Sequence, residues 1–352
     1  MVLFISNDVT AQVLGMHDAM AALDAVMREE GLGSAANRHK ANIHIPHRGA
    51  EEVYRYCSME GGSRELGVVA VRIKSDMMTS AVVYGQLREQ KYASRPGKYC
   101  GLVYLFSATN AEPLAILNDG VIQHVRVGAT YGLGAKYLAR PDSRTLGLLG
   151  SGGMARTFAE SAALALPLER VKVFSPNIAH RDAFAEEMAE RTGIDVVPVG
   201  SAEDAAADVD VLAAMTDSLE PLISPEMLRP GMHVCGVHGE MSRAALEMVD
   251  CVASYVSGKT DNYYTAPESW KPRRDGEGGG ERTGEGRPRQ TLVDIMLGRA
   301  AGRTDPSSIT YFHSLGTGTQ FAATAKLVYD RARERNLGHE LPLDWFLQDM
   351  RD

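Results

Sequence analysis

An α/β fold is predicted, with a mainly parallel, doubly wound sheet at about 127–300 and a second, mixed α/β segment before it. Three observations predict it. From residue 145 onward, short apolar runs alternate with helical stretches, the pattern of crossover units. A glycine-rich turn lies between the first of those runs and the first helix. The 352 residues are 44% apolar and 23% charged, which suffices for two or three buried cores and excludes a disordered or collagen-like chain.

In chain order, residues 16–30 (MHDAMAALDAVMREE) place Met20, Leu23, Val26 and Met27 on one helical face, and Gly31 reads as the C-cap. Residues 67–73 (GVVAVRI), 102–106 (LVYLF) and 114–118 read as strands with polar turns between them. Residues 122–139 (IQHVRVGATYGLGAKYLA) read as a helix whose small side chains permit close packing, broken by Pro141-Asp142-Ser143. Strands are then expected at 145–149, 171–174, 196–197, 208–215, 232–237 and 251–256, with helices at 154–164 and 180–191. Residues 271–290 (KPRRDGEGGGERTGEGRPRQ) contain no large apolar side chain, cannot contribute to a core and read as a mobile surface loop. A helical pattern resumes at 292–298, a strand is expected at 309–312 and an amphipathic helix at 317–334. Leu341, Leu343, Trp345 and Phe346 read as a tail packed on a neighbouring element.

The chain carries 37 Lys+Arg against 45 Asp+Glu, a net charge of −8, so nothing global draws it to nucleic acid or to an anionic membrane. The start, MVLFISNDVTAQ, has neither a basic segment nor a long apolar core, and no stretch approaches 18 apolar residues. Cys57, Cys100, Cys235 and Cys251 have spacings that fit no metal site; they read as buried free thiols of a reducing compartment, and a cytoplasmic protein is expected.

The sharpest local feature is Gly150-Ser151-Gly152-Gly153-Met154-Ala155, which fits G-x-G-x-x-A between a strand and a helix. Gly150 permits the tight turn, Gly152 lets a pyrophosphate approach the backbone, and Ala155 allows close helix–sheet packing. The anion would rest on the helix N-terminus, contacted through Ser151, Gly153 and Met154. At the end of the next strand an NAD-selective site normally places a carboxylate for the ribose hydroxyls. Here Ser175 stands there, followed by Asn177, with His180 and Arg181 near. Repulsion of a 2′-phosphate is thereby absent, so NADP(H) is favoured over NAD(H). Arg181 reads equally as a solvated residue of the helix's first turn.

Arg38, Lys74 and Arg126 are basic residues beside small or apolar neighbours, outside the strand–helix run. A pocket for an α-carboxylate uses such groups, although each taken singly is more often a surface or salt-bridged residue. Glu240 follows the strand at 232–237, where a doubly wound sheet opens its ligand crevice; its plain alternative is a carboxylate at a helix start.

These signals line up with one family. The stretch 113–155, PLAILNDGVIQHVRVGATYGLGAKYLARPDSRTLGLLGSGGMA, resembles the ornithine cyclodeaminase/μ-crystallin pattern PLA…DG…IT…RT.A.S..A.KYLA…S..L.I.G.G.QA. Weaker matches lie at 208–215 with Pro221, at 228–237 and in the tail from 292 to 333. The resemblance implies a Rossmann-type nucleotide domain at 127–304 plus an α/β substrate and dimerisation domain built from 1–126 and 305–352. It implies that Arg38 and Arg126 hold a substrate carboxylate, that Lys74 is the active-site lysine, and that Glu240 takes the place of the Asp that holds the substrate amine in cyclodeaminases. The chain departs from the pattern at Glu240, at Met59-Glu60 in place of Met-Pro, at Val127-Gly128 after Arg126, at Met154 in place of Gln, and at Gln320-Phe321 in place of a Gly–Asp pair; 271–290 looks like an insertion.

The implied chemistry is hydride transfer at the α-carbon of a small amino or imino acid, as an imine reductase or, in reverse, an amino-acid dehydrogenase. In the reductive direction the substrate is an imino acid, or a keto acid plus an amine. A cyclodeaminase begins with the same oxidation, and a μ-crystallin-like protein would bind nucleotide and a small ligand without turnover. A homodimer is expected, with no nucleic-acid or membrane partner and no metal.

Overall fold

The computed structural model describes residues 1–47, 52–237, 239–255, 260–264 and 289–350, with the backbone alone described for 260–262 and 264. Among them the chain forms two sheets. One has eight strands, all parallel, in the order Asp195–Pro198, Arg170–Phe174, Thr145–Leu149, Val211–Ala214, His233–Gly236, Thr310–His313, Cys251–Ser254 and Gln290–Thr291. Strand order reverses beside Thr145–Leu149, whose neighbours come next and third after it in the chain; this switch point opens a crevice at the strands' C-terminal ends. The central strands are buried on both faces, which is why they are continuous apolar runs.

The other sheet is mixed. Its main path runs Thr260–Tyr264, Lys40–His47, Glu52–Ser63, Val68–Val83, Cys100–Ser107, Pro113–Asn118, Val2–Ile5 and His339–Leu341. Ala35–Asn37 pairs beside Glu52–Ser63, and Gln86–Tyr92 forms a hairpin with Val68–Val83. The helices Met16–Leu32 and Gly318–Glu334 pack on one another, the latter also against the two long central strands. The helix Gly120–Leu138 joins the halves. Gly128 and Gly132 let it lie against the helix Gly153–Ala165: a Cβ at Gly128 would stand 2.5 Å from the Thr157 carbonyl and one at Gly132 2.6 Å from Ser161. Ser161 Oγ donates to the Gly128 carbonyl at 2.7 Å, fixing the contact.

Several expectations change. The first long helix ends at Gly33 (φ +81°), not at Gly31, which lies within the helix where Leu297 and Val293 leave no room for a side chain. The stretch read as a polar turn between 73 and 102 includes the strand Gln86–Tyr92, and the strand Glu52–Ser63 lies ahead of the first run read. Thr310–His313, assigned to the second domain from sequence, sits inside the parallel sheet and is buried throughout. Thr260–Tyr264, assigned to the nucleotide domain, pairs in parallel with Lys40–His47 of the mixed sheet. Cys100 is exposed at a strand start, whereas the other three cysteines are buried. The tail pairs through His339–Leu341 with Val2–Ile5, but Trp345 is 73% exposed. The loop read at 271–290 lies outside the described residues up to 288; Gln290 begins a short strand.

Candidate active site

A cavity of about 1490 Å³ lies between the strand ends of the parallel sheet and one face of the mixed sheet. Its first wall is the glycine turn. Gly150 has φ +108°, a conformation that a side chain disfavours, and a Cβ there would press on the Met215 carbonyl at 2.5 Å. Gly152 is the N-cap of the helix Gly153–Ala165 and contributes no side-chain cap. Nothing stands within 4 Å of where its Cβ would be. The helix N-terminus therefore opens on the cavity, and Ser151, Gly153 and Met154 complete its lining. This cradle fits the pyrophosphate of a dinucleotide. Ser175 and Asn177 line the cavity at the end of Arg170–Phe174, with His180 beyond. Asn177 Oδ1 accepts from the His180 N–H at 3.0 Å, and its Nδ2 donates to the Tyr84 hydroxyl at 2.9 Å. Tyr84 is the turn of the Val68–Val83/Gln86–Tyr92 hairpin. Farther along, the Leu219 N–H donates to the Leu87 carbonyl at 3.0 Å, so the hairpin spans the crevice between the two sheets.

Strand pleat builds the opposite wall. Arg72, Lys74 and Asp76 alternate with outward residues of Val68–Val83 and share its inner face. Register sets Met59 beside Arg72, Cys57 beside Lys74 and Arg55 beside Asp76. The Lys74 ammonium pairs with Asp76 at 2.5 Å, and Arg55 lies 3.5 Å from the same carboxylate. Burial, reinforced by the Lys91 charge and opposed by Asp76, pushes the Lys74 pKa down to about 7.

Arg126 enters from the joining helix, 6% exposed. Its Nη2 donates to Gln123 Oε1 at 2.8 Å and its Nη1 to Gln320 Oε1 at 3.1 Å. Arg72 pairs with Asp119 at 2.6 Å. Both guanidiniums pack over the Phe321 ring, at 5.1 Å for Arg72 and 4.9 Å for Arg126. Gln320-Phe321, a departure from the family pattern, thus cradle the two arginines. His124 lines the cavity beside Gly153, and burial holds its pKa below the usual histidine value.

The structure brings together Lys74, Arg126, Gly150, Ser151, Gly152, Gly153, Met154, Ser175 and Asn177. It does not bring Arg38. That side chain is 68% exposed and pairs with Glu60 at 3.2 Å. Glu60 alternates with the cavity-lining Met59, so it belongs to the strand's other face. The strand break at 38–39 leaves Lys40 as the cation that lines the cavity from this segment. Arg181 is also outside: its Nη1 donates to the Val199 carbonyl at 2.7 Å and its Nε to Asp182 at 3.4 Å. Glu240 is 1% exposed but stands behind the wall, where its Oε1 accepts from Thr216 Oγ1 at 3.4 Å; Thr216 lines the cavity and Glu240 does not. Sequence reading passed over Arg72, Asp76, Arg55, Lys40 and His124. Two-residue alternation around Lys74 was the available signal for Arg72 and Asp76. No local signal marks Arg55 and Lys40, because register across strands places them, and His124 is placed by the helix Gly120–Leu138.

No group of His, Cys, Asp and Glu among the described residues could hold a metal ion, and no helix among them is long and apolar enough to cross a membrane. The chain is 27% identical over 247 residues to a Δ(1)-pyrroline-2-carboxylate reductase of Bacillus cereus, covering 68% of this chain and 74% of the relative. Its fold is that of the Thermococcus litoralis Δ(1)-pyrroline-2-carboxylate reductase solved with NADH and L-proline, with TM-score 0.77, 21% identity and coverage of 97% and 100%. An archaeal alanine dehydrogenase dimer with bound NAD is similar in fold at TM-score 0.75 and 21% identity, with coverage of 97% and 99%. The sequence model of the ornithine cyclodeaminase/mu-crystallin family matches residues 16–336, and the chain belongs to that family.

Proposed function

We propose that the protein reduces the C=N bond of a small imino acid, or oxidises the corresponding amino acid, with a nicotinamide dinucleotide. The observation that carries this reading is one cavity with two complementary walls. The uncapped helix N-terminus at Gly152 faces it from one side, and Lys74 with the Arg72–Arg126 pair from the other. The reductases and the dehydrogenase to which the chain is similar support it.

The residues divide the work. Arg126 and Arg72, stacked on Phe321, hold the α-carboxylate; an Arg–carboxylate pair is charge-assisted and directional. The Arg126 Nε is buried without a hydrogen-bond partner among the described residues, a donor that a substrate oxygen would satisfy. Lys74, with a pKa near 7, gives a proton to the nitrogen in reduction and takes one in oxidation. Asp76 orients Lys74 and offsets positive charge on nitrogen. A bound reduced nucleotide supplies the hydride. Gly150–Met154 hold its phosphates. Ser175 brings no charge against a 2′-phosphate, so NADP(H) is preferred to NAD(H). Cyclodeamination would require a carboxylate on the cavity wall at Glu240, which lies behind Thr216.

We also infer a homodimer, since the tail after the edge strand His339–Leu341 leaves Trp345, Phe346, Leu347 and Met350 exposed. Light scattering at twice the chain mass is expected, and a monomer would refute it. Turnover is tested by mixing the protein with NADPH or NADH and Δ(1)-pyrroline-2-carboxylate, or pyruvate plus ammonia, and following nicotinamide absorbance. Oxidation of the nucleotide is expected. Ammonia and proline released from ornithine instead would identify a cyclodeaminase.

A further inference from the structure

His124 stands on the helix Gly120–Leu138, two residues before Arg126, and lines the cavity. Its ring lies against the phosphate cradle. Nε2 is the atom nearest to where a Cβ of Gly153 would be, at 2.9 Å, followed by Cε1 at 3.1 Å and Cδ2 at 3.2 Å. Gly153 is the first residue of the helix Gly153–Ala165 and fills a variable position of G-x-G-x-x-A. Its φ is not positive, so the backbone there would accept a side chain. What its bare Cα provides is room for the imidazole.

The fold makes no use of the ring nitrogens. Neither has a hydrogen-bond or ion-pair partner among the described residues, and the side chain is exposed to the cavity instead of packed in a core. Enclosure by protein, with the Lys91 and Arg126 charges, outweighs Asp119 and holds the pKa below the usual histidine value. At neutral pH the ring therefore keeps one N–H to donate. The next turn of the same helix face has changed as well. The family pattern carries Thr directly after the arginine; here Val127 stands there, three residues on from His124, and both line the cavity. This face has lost a hydroxyl and carries an imidazole one turn earlier.

We propose that His124 is a cofactor-binding residue: its Nε2–H donates to the dinucleotide phosphate seated at Gly153, and Gly153 is bare so that the ring can reach it. The inference rests on the reading above, in which Gly150–Met154 hold the phosphates, and it adds to that site a residue from outside the glycine turn.

Calorimetric titration of the whole chain tests it, with NADH and with ADP-ribose, which keeps both phosphates and lacks the nicotinamide. His124→Ala breaks no hydrogen bond among the described residues. It is expected to weaken both ligands roughly tenfold or more, since the lost bond is to a charged acceptor, with Tm unchanged within a few degrees. His124→Gln, whose amide N–H reaches a similar point, is expected to stay within about threefold of the unmodified chain. Gly153→Ala, which pushes the ring aside, is expected to weaken NADH by about fivefold or more alone but by less than about twofold when added to His124→Ala. Binding by His124→Ala within about threefold of the unmodified chain would overturn the contact and leave the glycine turn standing. A loss for NADH without a loss for ADP-ribose would overturn it by moving the ring's partner to the nicotinamide. His124→Gln as weak as His124→Ala would overturn the donor role. An unmodified chain that binds neither NADH, NADPH nor ADP-ribose would remove the nucleotide reading itself, and the contact with it.

Discussion

Arg126→Met separates what this guanidinium does for a substrate from what it does for the fold. Two acceptors face it, Gln320 Oε1 and Gln123 Oε1, and neither is stranded by its removal. Gln320 Oε1 still accepts from the Thr317 N–H at 3.3 Å, and Gln123 Oε1 from Arg72 Nη2 at 3.4 Å. The Met side chain keeps contact with Phe321, and removal of one charge relieves the repulsion with Arg72 that pushes the Arg126 pKa down alongside burial. Stability should therefore change by no more than about 1 kcal/mol, within a few degrees of Tm for a chain of this size. The substrate instead loses a buried, charge-assisted contact, for which about 3 kcal/mol is a representative cost. At about 1.4 kcal/mol per decade, kcat/KM should fall roughly 150-fold. Nucleotide affinity, set at the glycine turn, should stay within about twofold. The assay is nicotinamide absorbance at subsaturating imino acid, with thermal unfolding and nucleotide titration beside it. A kcat/KM loss under tenfold, or a loss matched by a large drop in Tm, would refute the assignment.

Three further outcomes follow from the same geometry. In the reductive direction kcat/KM should fall tenfold per pH unit above about 7, because the proton-bearing form of Lys74 is lost as pH rises through its depressed pKa. The oxidative direction should rise over the same range, Lys74→Met should flatten both limbs, and a reductive profile level to pH 9 would contradict the role. Ser175→Asp places a carboxylate at the end of Arg170–Phe174 and should shift the NADPH/NADH ratio of kcat/KM toward NADH by on the order of 100-fold, given that like-charge juxtaposition costs several kcal/mol; an unchanged ratio would show that Ser175 does not face the ribose. Arg38→Ala should leave kcat/KM within about twofold, since an exposed pair such as Arg38–Glu60 is worth under about 1 kcal/mol; a tenfold rise in KM would return Arg38 to the site.

The parallel sheet was legible because its strands are buried on both faces. Thr145–Leu149 and Val211–Ala214 are apolar runs, and the Gly150–Gly153 turn between strand and helix announces its ligand class. The mixed sheet was harder for a physical reason: its inner face is the cavity wall. In Glu52–Ser63 the inward positions include Arg55, Cys57 and Met59, and in Val68–Val83 they include Arg72, Lys74 and Asp76. Charge stands where a core strand carries Val or Leu, so a hydrophobicity pattern passes over it. The Arg38 reading failed for a local reason. A break at 38–39 decides which cation faces inward, and composition does not record it. Glu240 shows the reverse: it was expected at the crevice mouth, yet packing sets it against Thr216 Oγ1 and leaves Thr216 to line the cavity.

In the proposed reaction Arg72 and Arg126 hold the α-carboxylate of an imino acid while its C=N bond is reduced beside Lys74. The most direct measurement is stoichiometric: nucleotide oxidised and amino acid formed, in one reaction of the purified protein with reduced nucleotide and a panel of mono- and dicarboxylic imino acids. One amino acid per nucleotide oxidised is expected, with the rate abolished by Lys74→Met. Tight nucleotide binding with no oxidation across the whole panel would contradict it.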